Sequence, residues 1–243
     1  MAVYDSYAGS ASAYQTTFSL SHTIGSGSNR IALLCLNGTA SDRVPGSVQY
    51  GSTAATKLYE GASSIALMRV FYVLNPPTGT ANWTRTDSGA GWDILFFEAL
   101  AFSGVFQSAS FYRDYDYNAI TGFQPTATIT LTTISGDKCL AWGWGHNQNG
   151  TISGTGTDVQ EYTGVVGTWY CHSVQSYATA STTSQTMNVS GGWGTTHTKA
   201  VWGLTLIDAP SRVGGPGSPS GFSPNNDIGR QSKLRRRQRW GYS

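Results

Sequence analysis

The stretch Arg30-Ile31-Ala32-Leu33-Leu34-Cys35-Leu36 decides the fold. After Arg30 every position is apolar, so an extended chain here presents apolar side chains to both of its faces. That is the pattern of a central strand covered on both sides, not of a strand with one wet face. The longest strand signal follows at Ile65–Leu74 (IALMRVFYVL) and stops at Asn75-Pro76-Pro77-Thr78-Gly79, where two prolines and a glycine make a turn.

Moving outward, strand-like runs arrive at short intervals, each bounded by turn residues. Thr16–Ile24 alternates Phe18, Leu20 and His22 with Thr17, Ser19 and Ser21. Ser47–Tyr50, Ala55–Tyr59, Ala81–Thr86 and Ile94–Phe102 continue the series, and Thr126–Ile134 alternates Thr with Ala127, Ile129 and Leu131. Lys138–Trp144, Thr168–Tyr177, Ser184–Val189 and Lys199–Ile207 complete it. Some ten to twelve short strands at such spacing predict an all-β fold, a two-sheet antiparallel sandwich of jelly-roll type. No internal repeat is legible at a fixed period.

Composition agrees. Only 12% of the 243 residues are charged, against about 25% in ordinary globular proteins, and 39% are hydrophobic. Ser, Thr, Asn, Gln and Gly must cover the surface, which suits strands and turns and suits amphipathic helices badly. No apolar run is long enough to cross a bilayer as a helix, and Met1–Leu20 lacks the basic and apolar regions of a signal peptide. Cys35, Cys139 and Cys171 each sit in an apolar run. Their odd number and setting predict buried thiols made in a reducing cytoplasm, with a Cys139–Cys171 disulfide left open.

The charge is unevenly divided. Residues 1–210 carry eight basic and twelve acidic side chains, a net of −4, whereas residues 211–243 carry seven basic and one acidic, a net of +6. The chain therefore divides into a sandwich domain (1–210), a Gly/Pro/Ser-rich linker (211–227) and a basic arm (228–243). The arm holds Arg230, Lys233, Leu234, Arg235, Arg236, Arg237, Arg239, Trp240 and Tyr242. Cations with an aromatic anchor suit an acidic protein surface; a solvated tail that aids solubility ranks second, and nucleic acid third, because the domain offers no continuing basic surface.

Catalytic chemistry has little to start from. His22, His146, His172 and His197 lie in no nucleophile or metal spacing, so neither an active site nor a cofactor is expected. The richest constellation is the aromatic-acidic segment Tyr112, Asp114, Tyr115, Asp116, Tyr117 and Asn118, taken as a loop. Its alternating oxygens are a candidate calcium set without EF-hand spacing, so no metal is assigned, and its tyrosines are a candidate glycan contact. Trp142 and Trp144 share a strand face and are expected in the core, while Trp193 lies in the turn-like GGWGTTH, which could expose its ring.

The ordered series Asn29-Arg30, Ser47-Val48-Gln49-Tyr50-Gly51, Ala55-Thr56, Asn75-Pro76-Pro77-Thr78-Gly79-Thr80 and Phe102-Ser103-Gly104-Val105 resembles β-sandwich domains of bacteriophage virion proteins. That resemblance implies a non-enzymatic virion structural protein. Its expected form is a capsid decoration (cement) protein on the head surface, made in the host cytoplasm. Expected partners are the major capsid protein, a neighbouring virion protein or further copies of the chain, with no membrane involved. The alternative it implies is a tail or fibre module that recognises host surface glycan.

Overall fold

In the computed structural model, Ile31, Leu33 and Cys35 enter one hydrophobic core while Ala32, Leu34 and Leu36 enter another. The strand is covered on both faces, as its sequence demands. The structure describes residues 1–13, 17–38, 45–62, 67–87, 94–121, 126–146, 152–166, 169–191 and 198–210. Met1–Pro210 forms one compact unit; the linker and the basic arm lie outside the described residues.

Among the described residues there are seventeen strands and no helix. They are β1 (Val3–Ala13), β2 (Thr17–Ile24), β3 (Ile31–Gly38), β4 (Pro45–Tyr50), β5 (Thr53–Ala54), β6 (Thr56–Ala62), β7 (Leu67–Leu74), β8 (Gly79–Asp87) and β9 (Ile94–Ser103). The second half has β10 (Tyr112–Thr121), β11 (Thr126–Thr132), β12 (Lys138–His146), β13 (Ile152–Gly154), β14 (Thr157–Val166), β15 (Trp169–Thr179), β16 (Ser184–Gly191) and β17 (Thr198–Leu206).

The all-β antiparallel sandwich expected from the sequence is what the chain forms, but it has four sheets, not two. An inner sheet β1-β9-β3-β7-β6 is covered on one side by an outer sheet β2-β8-β4-β5. A second inner sheet β10-β17-β12-β15-β14 is likewise covered by β11-β16-β13. The two inner sheets pack face to face through the largest core, which includes Phe96, Phe102, Phe111, Trp142, Trp144 and Trp202. The order is outer, inner, inner, outer. A strand that is apolar on both faces already requires a third layer, because a two-sheet sandwich leaves each strand one wet face.

The halves repeat each other. Replacing β1, β9, β3, β7 and β6 by β10, β17, β12, β15 and β14 turns one inner sheet into the other, and β2-β8-β4 becomes β11-β16-β13 in the same way. In each half the first strand pairs with the last and the second with the penultimate, the wrapped pairing of a jelly roll. Two of the three register slips of the first half repeat as well; the third, at Pro45/Ser47 between β4 and β8, has no counterpart between β13 and β16. Between β1 and β9 the register slips at Tyr4/Ser6, and between β10 and β17 it slips at Tyr112/Asp114. A second slip, at Lys57/Tyr59 between β6 and β7, recurs at Asp158/Gln160 between β14 and β15. Matching bulges at matching positions make this a duplication of one jelly roll, since bulges are specific features of a backbone.

With the register as guide, the sequence echo becomes visible. Tyr4 and Tyr7 match Tyr112 and Tyr115, Thr56 and Glu60 match Thr157 and Glu161, and Tyr72 matches Tyr177. The spacing between equivalents drifts along the chain, which is why no fixed period shows. The contacts across the middle obey the same symmetry. Tyr4 stacks on Tyr177 with ring centroids 5.3 Å apart, and on the opposite side their equivalents Tyr112 and Tyr72 both pack on Phe111, with ring centroids 5.3 Å and 4.7 Å away.

Candidate functional site

The aromatic-acidic segment is a strand, not the loop expected from the sequence. β10 pairs with β17 along its whole length and forms an edge of the second inner sheet. Its two faces have separate duties. Tyr112, Tyr115 and Tyr117 pack against the central core, where Tyr59 of β6 lies 5.8 Å from Tyr115 and 5.5 Å from Tyr117. Burial pushes the Tyr117 hydroxyl up to about 12 and raises Tyr59, where the neighbouring Tyr117 adds to the effect.

Asp114, Asp116 and Asn118 point the other way and tie β10 to β11, the edge strand of the second outer sheet. Asp114 accepts from Tyr115 N (2.9 Å) and Thr132 N (2.7 Å). Asp116 accepts from Tyr117 N (2.8 Å) and Thr130 N (3.2 Å), and the Asn118 amide donates to Thr128 O (2.9 Å). Successive rungs meet alternate residues of β11 because both strands have a period of two. The three side chains thus meet backbone groups that an edge strand would otherwise leave unpaired. Each carboxylate oxygen already accepts a backbone N–H, and among the described residues no three His, Cys, Asp or Glu side chains gather as a metal site. The candidate calcium and glycan groups are instead the stitching between two layers and the filling of the central core.

His22 is a group that sequence spacing could not place. It is 1% exposed in the core of the first half, with Ser6 Oγ 3.0 Å from Nε2 and Trp83 Nε1 3.3 Å from Nδ1. An indole nitrogen only donates, so Nδ1 accepts and the imidazole carries its proton on Nε2, which donates to Ser6. Burial lowers the His22 pKa to about 4, against smaller opposing effects of Ser6 and Asp5. This neutral tautomer cannot take a proton from Ser6. The pair therefore links β1 to β2 and does not activate a nucleophile.

A third polar group lies in the central core. Cys35 Sγ donates to Asn37 Oδ1 (3.1 Å), and Asn37 Nδ2 donates to Glu98 Oε2 (2.8 Å), all three residues being fully buried. Burial first, and then the Glu98 carboxylate, push the Cys35 thiol well above its ordinary range, so it stays protonated. Cys139, raised to about 11 chiefly by burial, is a second buried free thiol. The readable signal was Glu98 itself, a single acid within the apolar run ILFFEALAF.

Trp142, Trp144 and Trp202 are fully buried in the central core. Trp193, His197, the basic arm, and the side chains of His146, Cys171 and His172 lie outside the described residues. No protein-family model, curated protein or solved structure matches this chain.

Proposed function

We propose that this chain is a non-enzymatic structural protein of a bacteriophage virion, a decoration protein of the capsid surface held partly by its basic C-terminal arm. The observation that carries the reading is the division of charge at residue 210. A domain of net charge −4, compact up to Pro210, is followed by a segment of net charge +6 with aromatic residues among its cations. A tethered arm of this kind rebinds at high effective concentration and holds a lattice protein without a large fixed interface.

Two further features support a structural role. The four-layer stack buries both faces of both inner sheets, which favours rigidity. The chemistry-bearing groups Ser6, His22, Asp114, Asp116 and Asn118 all hold strands together. The partner this predicts is an acidic groove of the major capsid protein or of a neighbouring virion protein, with contacts between copies of the chain in the lattice. The rival reading, a module for host glycan, drew its support from Tyr112–Asn118. Those groups are engaged within the fold, which favours the structural reading.

The test compares the full chain with a form ending at Pro210 for loading onto capsids that lack the protein. The shortened form is expected to fold and to decorate poorly, and loading by the full chain is expected to weaken as salt rises. Equal decoration by both forms would remove the arm from the mechanism. Labelled particles showing the chain on the tail would remove the capsid.

A further inference from the structure

The duplication is imperfect at one level of the central core. In the second inner sheet, one cross-strand row runs Tyr117, Trp202, Trp142, Gln175 across β10, β17, β12 and β15. Paired residues of an antiparallel sheet share a face, so all four side chains turn toward the other inner sheet. The matching row of the first half runs Gly9, Glu98, Cys35, Val70 across β1, β9, β3 and β7. Where one half has the ring of Tyr117, the other has the bare backbone of Gly9.

That exchange matters because the rows lie at the same level. Tyr59, next in the first row, packs on Tyr117 and on Trp202, with ring centroids 5.5 Å and 5.6 Å away. On the opposite side Phe102 of β9 meets Tyr177 of β15 at 6.3 Å, which sets β9 over β15. Gln175 lies two residues back from that contact along β15 and Glu98 four residues back along β9, each on the face turned toward the other inner sheet. This flank holds a carboxylate, a carboxamide and an indole, and it lacks the ring that fills the symmetric position.

A second observation is independent of the symmetry. Trp142, Trp202 and Gln175 are fully buried, yet the indole Nε1 of both tryptophans and both amide atoms of Gln175 have no hydrogen-bond partner within the protein. The Tyr117 hydroxyl is also buried without one. Leaving so many polar atoms unmet in one core would cost free energy comparable to the stability of a whole domain. Native interiors meet such groups with ordered water, about one molecule per 27 residues, provided the site is polar and has room.

We propose that the interface between the two halves holds a polar pocket, bounded by Gly9, Glu98, Trp142 and Gln175, whose ligand is a small cluster of ordered water molecules. Water suits this lining because it both donates and accepts. It can take the indole N–H and amide protons while donating to the amide oxygen and to the carboxylate.

The test uses the full-length protein labelled with ¹⁵N at its tryptophan indoles and measures cross-relaxation from water to each indole proton. Trp142→Phe identifies the Trp142 signal by its loss. A water cross-peak is expected at Trp142 and none at Trp83, whose indole donates to His22. A silent Trp142 indole means a dry interface and overturns the proposal. Gln175→Leu, or Gln175→Met where the leucine variant does not fold, removes a water partner and is expected to abolish the Trp142 cross-peak. An unchanged cross-peak in the folded variant places the water elsewhere and equally overturns the pocket.

Discussion

His22 gives the most direct test of how this fold handles a buried titratable group. Its pKa falls from 6.5 to about 4 because burial disfavours the imidazolium. In the unfolded chain the ring takes up a proton as pH drops through about 6.5, whereas in the folded chain it resists until about 4. The unfolded state therefore binds more protons in that window. Stability attributable to His22 is fully present above pH 6.5 and lost progressively toward pH 4, at about 1.4 kcal/mol per pH unit in mid-window and roughly 3 kcal/mol in total. Other groups also titrate there, so the readout must be a difference. His22→Leu keeps this buried site filled with an apolar side chain of similar size. It should cost about 1–3 kcal/mol at pH 7, because the Trp83 indole loses its acceptor, and it removes the pH-dependent contribution. Urea unfolding of both proteins at pH 7, 5.5 and 4, followed by far-UV circular dichroism, measures the comparison. The wild-type advantage should shrink or reverse as pH falls. Parallel loss of stability in the two proteins would refute the assignment.

Other perturbations probe the stitching and the packing. Asp114→Ala removes the acceptor for Thr132 N and Tyr115 N and should lower stability by about 2–3 kcal/mol in thermal melts, while calcium should leave the wild-type midpoint unchanged because those oxygens are engaged. A Cβ at Gly203 would stand 2.5 Å from the Leu140 carbonyl oxygen and 2.5 Å from the Ile129 side chain. Since the carbonyl belongs to the paired strand and cannot yield, Gly203→Ala should cost at least about 1–3 kcal/mol in urea unfolding. Cys35 and Cys139 should resist alkylation at pH 8 in the folded protein and react in denaturant, as peptide mapping by mass spectrometry would show.

Local reading succeeded where one strand carries its own signal. RIALLCL announced two covered faces, and the alternation of Leu20, His22 and Ile24 with exposed partners matches the burial of β2. Trp142 and Trp144 share one strand face, and that face is the central core. Local reading failed at β1 and β10. Val3–Ala13 is dominated by Ser, Ala, Gly and Tyr, too small and mixed to signal a strand, and the carboxylates of β10 suggested a wet loop. Their job is to cap the edge of a strand in another sheet, and that partner cannot be read from the segment itself.

The sequence by itself determined that the chain is all-β, that some strands need cover on both faces, and that a basic segment follows an acidic domain. These follow from side-chain periodicity and charge, which are properties of neighbours along the chain. Only the tertiary structure decided that the sandwich is two copies of one jelly roll packed through their inner sheets. The duplication is carried by strand order, bulge position and register, which constrain the backbone while leaving most side chains to diverge. Only that structure could bring Ser6 to His22, Asp114 to Thr132 and Cys35 to Glu98, because each pair joins separate strands whose meeting depends on how the sheets are assembled.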